Sequence, residues 1–142
     1  MSETAPLLLV QAAGRDLLLS TQDLREVVAP TAVASLPGGP PGILGVVIHQ
    51  GEFLPVLAWS DLPGGTPAGE TAALAVLRPR LALPLERLVG TVELPPDGWR
   101  AVPEEDPWAP LMSGLGRVEG REAPLLDPDR LIALLHRLHS DH

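Results

Sequence analysis

The chain has 142 residues, 45% of them apolar, and a formal net charge of −8, a composition that suits one folding unit with a continuous core and not a disordered chain. Its ten basic residues are all arginines, scattered singly, so nucleic acid and anionic membrane surfaces do not suit it as partners. Cysteine is absent, no apolar run approaches the roughly 18 residues of a bilayer span, and Met1 to Pro6 carries Glu3 and no basic residue, unlike a signal peptide. The expectation is a cytoplasmic protein without disulfides or membrane insertion.

Residues 7–10 and 17–20 read as a hairpin around Gly14. Thr21 is placed to cap a short helical turn through Asp23, Leu24 and Arg25, and Pro30 ends that segment. Residues 36–42, rich in proline and glycine, are a loop. Strands follow at 43–49 and 53–58, joined by Gln50-Gly51-Glu52, and the nearly unbroken apolar run of the first predicts a strand covered on both faces. A second proline- and glycine-rich loop at 62–69 is expected to divide the chain into two parts of similar size.

Short strands are expected at 72–77, 81–85 and 88–94, then a polar loop at 95–110 whose Trp99 and Trp108 pack against the body. Strands at 111–118 and 123–126 are joined near Glu119 and Gly120. The last element is a helix over 128–139, with Asp127 as its cap, Pro128 in its first position, and an apolar stripe of Leu131, Ile132, Leu134, Leu135 and Leu138.

Catalytic signatures are incomplete throughout. Met112-Ser113-Gly114 lacks the first glycine of a nucleophile elbow, Gly114-Leu115-Gly116 lacks the rest of a dinucleotide fingerprint, and there is no lysine for a phosphate loop. His136, His139 and His142 recur every third residue beside Asp141, but two helical histidines at a chain end are a partial ligand set, better read as exposed imidazoles. Glu104-Glu105-Asp106 lacks the spacing of a calcium loop. Trp59, Trp99 and Trp108 read as core fillers or interface anchors. The chain is therefore expected to be no enzyme, with no catalytic residues, metal or cofactor.

Residues 36–56 run Leu-Pro-Gly-Gly-Pro-Pro-Gly-Ile-Leu-Gly-Val-Val-Ile-His-Gln-Gly-Glu-Phe-Leu-Pro-Val. This resembles the CheW-like family of chemotaxis coupling proteins, which carry a Pro-x-x-Pro loop, a strand ending near Asn-Leu-Arg-Gly, and a strand containing Leu-Pro-Val. Later segments resemble the family in the same order: Leu85-Glu86-Arg87-Leu88-Val89-Gly90, Met112-Ser113-Gly114-Leu115, and Leu125-Leu126-Asp127-Pro128-Asp129-Arg130-Leu131. The resemblance implies one domain over 5–140, all-β apart from the C-terminal helix, built as two intertwined five-stranded SH3-like barrels. Each barrel would have its own core, with a groove between them.

The same resemblance implies an adaptor that bridges a CheA-like histidine kinase, through its regulatory domain, and the cytoplasmic tip of a chemoreceptor. Leu24 and Glu26 match a receptor-facing region. Ile48, His49 and Gln50 stand where the family usually has asparagine, leucine and arginine, and Glu86 stands for its common aspartate. With Glu52, these are the expected partner-binding residues. The alternative is a regulatory or small-ligand-binding module that kept the fold and lost the coupling role, and homo-oligomerisation is compatible with either reading.

Overall fold

The computed structural model describes residues 6–35, 39–65 and 69–140. The expectations for 36–38, 66–68, Asp141 and His142 lie outside these. The strands are β1 (Leu7–Ala12), β2 (Arg15–Ser20), β3 (Leu24–Val28), β4 (Ala34–Ser35), β5 (Ile43–His49), β6 (Glu52–Leu57), β7 (Ala73–Leu77), β8 (Ala82–Leu85), β9 (Arg87–Val92), β10 (Trp99–Arg100), β11 (Met112–Val118) and β12 (Arg121–Leu126). One helix, α1 (Pro128–Ser140), follows them.

These strands form two sheets, in the orders β10-β11-β12-β2-β1-β9 and β3-β7-β8-β6-β5-β4. Each contains five longer strands and one of two residues, β10 or β4. Each also joins two antiparallel hairpins by a single parallel contact, Leu125 with Leu18 in one and Val56 with Ala82 in the other. The chain starts in the first sheet, builds the whole of the second, and returns to the first at β9, which is what interleaves the two units.

Three hairpins turn on two residues that both have positive φ: Ala13-Gly14, Gln50-Gly51 and Glu119-Gly120. That pattern is the type I′ turn, whose twist matches the right-handed twist of the paired strands. At the middle turn Gln50 has φ 51° and Gly51 φ 79°. The connection is thus two residues long rather than the three expected, and His49 pairs with Glu52.

Two other expectations are corrected. The segment after Ser20 makes only a 3-10 turn, Thr21–Asp23, capped by the Ser20 hydroxyl accepting from the Gln22 amide. Leu24 to Val28 is then strand, because valines at 27 and 28 favour extended backbone and β7 offers it a ladder. The loop at 62–69 does not separate the two units, since β6 and β7 on either side of it belong to one sheet. The chain passes between sheets at 20–24 and at 85–87.

The core has three parts. One small cluster lies within each sheet: Leu7, Leu9, Leu18, Val118 and Ala123 in the first, and Val47, Leu54, Val56, Leu74, Val76 and Ala82 in the second. A larger one is shared, taking Val10, Leu17 and Leu19 from one sheet, Leu57, Ala75 and Leu83 from the other, and Leu131, Leu134 and Leu135 from α1. Trp59 and Trp108 stack inside it with ring centroids 5.3 Å apart, and the Trp59 indole donates to the Pro84 carbonyl at 2.8 Å. The stretch expected as one loop over 95–110 contains β10, which pairs with β11; beyond it, Arg15 lies 4.4 Å over Trp108 and pairs through two bonds with Asp106, which pins the connection between β10 and β11 to the β1–β2 hairpin. The Asp127 carboxylate accepts from the amides of Asp129 and Arg130 and so starts α1.

Candidate protein-binding face

Among the described residues, the β5–β6 hairpin carries the two most exposed large apolar side chains. Opposite residues of an antiparallel ladder share a face, so the pairs Val46 with Pro55 and Ile48 with Phe53 lie on one side. The other side sends Val47, Leu54 and Val56 into the core of the second sheet, each 4% exposed or less. On the outer side Ile48 and Phe53 are each 71% exposed and Leu44 is 49% exposed. The expectation that this strand is covered on both faces is therefore wrong for its outer face. Clustered apolar side chains left in water mark an interaction surface more than scattered ones do.

Polar groups rim the tip of this hairpin. The Glu26 carboxylate accepts from the Gln50 side-chain amide at 3.3 Å, and the same oxygen lies 3.6 Å from His49 Nε2. Glu26 belongs to β3, which three strands separate from β5 in the sheet order, so this contact requires the sheet to curl into a barrel. Beyond the turn, Arg80 pairs with Glu52 at 2.7 Å, both side chains being about half exposed. Exposed pairs of this kind contribute about 0–1 kcal/mol. A hollow of about 60 Å³ lies between Arg25, His49, Gln50, Glu52 and Arg80.

Five of the expected partner-binding residues thus converge: Glu26, Ile48, His49, Gln50 and Glu52. Two do not. Leu24 is 9% exposed and packs in the shared core, because alternation along β3 turns it inward while Arg25 faces out; its side chain offers no surface to a partner. Glu86 sits where the chain crosses from β8 to β9, and its carboxylate accepts from the amides of Gly14 at 2.9 Å and Gly69. It ties two loops together instead of joining the hairpin tip. Phe53 and Leu44 were missing from the expected set. Among the described residues no three metal-binding side chains converge, and no helix is long and apolar enough to cross a membrane.

Over residues 6–136 the chain matches the CheW-like domain family. Among solved structures it is similar to the scaffolding protein TtCheW from Thermoanaerobacter tengcongensis, with a TM-score of 0.77 and 14% sequence identity over 87% of this chain and 84% of that one. At that identity the likeness concerns the fold. No curated protein matches the chain.

Proposed function

Because the chain belongs to the CheW-like domain family, a family of non-enzymatic scaffolds and adaptors, we propose that it couples a CheA-type histidine kinase to the cytoplasmic tip of a chemoreceptor, or to a related sensory complex, in the cytoplasm. The partner docks on the outer face of β5 and β6. The observation that carries this reading is the adjacent pair Ile48 and Phe53, each 71% exposed and directly opposite on the β5–β6 ladder. An apolar centre with a rim of Glu26, Gln50, Glu52 and Arg80 has the anatomy of a protein interface, where a desolvated centre supplies affinity and polar edges set orientation. The small-ligand alternative finds less support at this place: the hollow beside the turn, about 60 Å³, is well below the roughly 300 Å³ of ordinary ligand pockets.

The test is a pull-down from the native lysate with the wild-type chain and with Phe53→Ser as bait. A coupling adaptor retrieves a histidine kinase or a receptor with the first and loses it with the second. Retrieval of neither by wild type, or equal retrieval by both baits, overturns the reading.

A further inference from the structure

Arg25 is the residue at which β3 slips against β7. Leu24 pairs with Leu77 and Glu26 with Val76, so Arg25 stands between two consecutive pairs with no opposite residue of its own. A bulge of this kind bends the strand and re-aims the side chain it carries. That side chain is exposed and lines the hollow beside the β5–β6 turn, together with His49, Glu52 and Arg80. Leu54 and Val76, 4% and 2% exposed, form the floor. His49 and Glu52 are the last pair of the β5–β6 ladder, and alternation turns them to the side opposite Ile48 and Phe53. The hollow therefore opens at the end of the second sheet's barrel, with only the two-residue turn between it and the exposed apolar pair.

The charges around this hollow are unevenly spent. Glu52 is held by Arg80 at 2.7 Å, while Glu26 accepts from Gln50 and lies 3.6 Å from His49. Among the described residues the Arg25 guanidinium has no ion-pair partner. On a chain of net charge −8, an open cation over apolar side chains is a place that attracts an acidic group the rest of the surface repels. A space of about 60 Å³ takes one carboxylate in place of water and is too small for an ordinary ligand. The planar fork of arginine suits both oxygens of a carboxylate, and a partner lying over the turn shields that contact from solvent.

We infer that Arg25 selects the partner of the β5–β6 face by taking one of its carboxylate side chains into this hollow. The inference rests on the docking face proposed above and adds the chemistry of the partner: an acidic residue beside the apolar patch that covers Ile48 and Phe53.

Calorimetry with the purified kinase or receptor that the wild-type chain retrieves reads it. Arg25→Ala should weaken binding about tenfold or more, the worth of a hydrogen bond to a charged group. Its melting curve should match wild type, because the side chain is exposed and has no ion pair to lose. Arg137→Ala removes the same charge from an exposed position of α1 and should leave affinity unchanged. Equal losses in the two variants mean a general effect of net charge, and wild-type binding by Arg25→Ala means that no carboxylate enters the hollow; either result overturns the inference. Phe53→Ser in the same assay keeps the two readings apart. Loss of binding in that variant alone keeps the apolar face and removes the carboxylate, whereas loss in Arg25→Ala alone keeps the carboxylate and removes the apolar face. A wild-type chain that retrieves neither protein overturns both.

Discussion

Replacing Ile48 and Phe53 together by alanine separates what the pair does for folding from what it does for binding. Each side chain is 71% exposed, so folding buries less than a third of it. Complete burial of such a side chain is worth about 1.5–3 kcal/mol, which puts the buried part near 0.5–1 kcal/mol each. Their cross-strand contact adds about 0.2–1 kcal/mol. Since alanine keeps part of the burial, the double variant should lose roughly 1–2 kcal/mol, a drop of several degrees in Tm. A partner that covers the pair buries the remaining two-thirds, about 1–2 kcal/mol per side chain. The variant should then bind some 30- to 1,000-fold more weakly, a loss of about 2–4 kcal/mol. Circular-dichroism melting gives the first quantity and calorimetry against the retrieved partner the second. A folded variant that binds like wild type would remove this face from the interface, and a stability loss above about 4 kcal/mol would contradict the exposure of the pair.

Leu131→Asp places a carboxylate at a fully buried position of the shared core and should cost several kcal/mol; wild-type melting would mean that α1 is not docked. Gln50→Arg keeps the positive-φ strain of the turn and should leave Tm nearly unchanged while altering partner affinity by calorimetry, because the side chain points to solvent beside Glu26. The hydrogen bonds from Arg15 hold the Asp106 carboxyl below the usual carboxylate range, so its contribution is present near neutral pH and is lost as pH falls through that lowered value. Asp106→Asn should therefore weaken the protein to urea near pH 7 and lose that effect as acid protonates the carboxyl in the native state as well as in the unfolded one. Asp23 runs the other way: burial first, then the charges of Asp127 and Asp129, raise its pKa, so ionising it opposes folding at neutral pH. Asp23→Asn should stabilise the chain in urea near pH 7, with the gain vanishing as acid protonates the native carboxyl.

Local chemistry made the elements legible, because a strand, a turn or a cap is written in a few consecutive residues. Gly14, Gly51 and Gly120 mark the hairpins, and Asp127-Pro128 marks the start of α1. Sheet membership is not local. The contact of Val56 with Ala82 joins residues on either side of the loop that looked like a boundary, and loop composition records only that the chain turns there. Residues 24–28 failed for a related reason: Ser20 and Thr21 signal a turn, which forms, but the partner that extends the next five residues is β7, some fifty positions away.

The hidden half of the binding face came down to one residue of register. A three-residue connection at Gln50-Gly51-Glu52 pairs His49 with Phe53 and Ile48 with Leu54, which turns Ile48 inward beside a core leucine. The two-residue turn that forms pairs His49 with Glu52 and Ile48 with Phe53. Side chains alternate with period two, so that slip of one moves Ile48 from the core side to the solvent side. The backbone decides between the two, since Gln50 and Gly51 both take positive φ and a pair of such residues closes a hairpin with no third. Phe53, the chain's only phenylalanine, then lies beside an exposed isoleucine, where a core would have no use for it. Hydrophobic periodicity counts apolar positions and does not distinguish a face covered by its own chain from a face that another protein covers. Register made that distinction here.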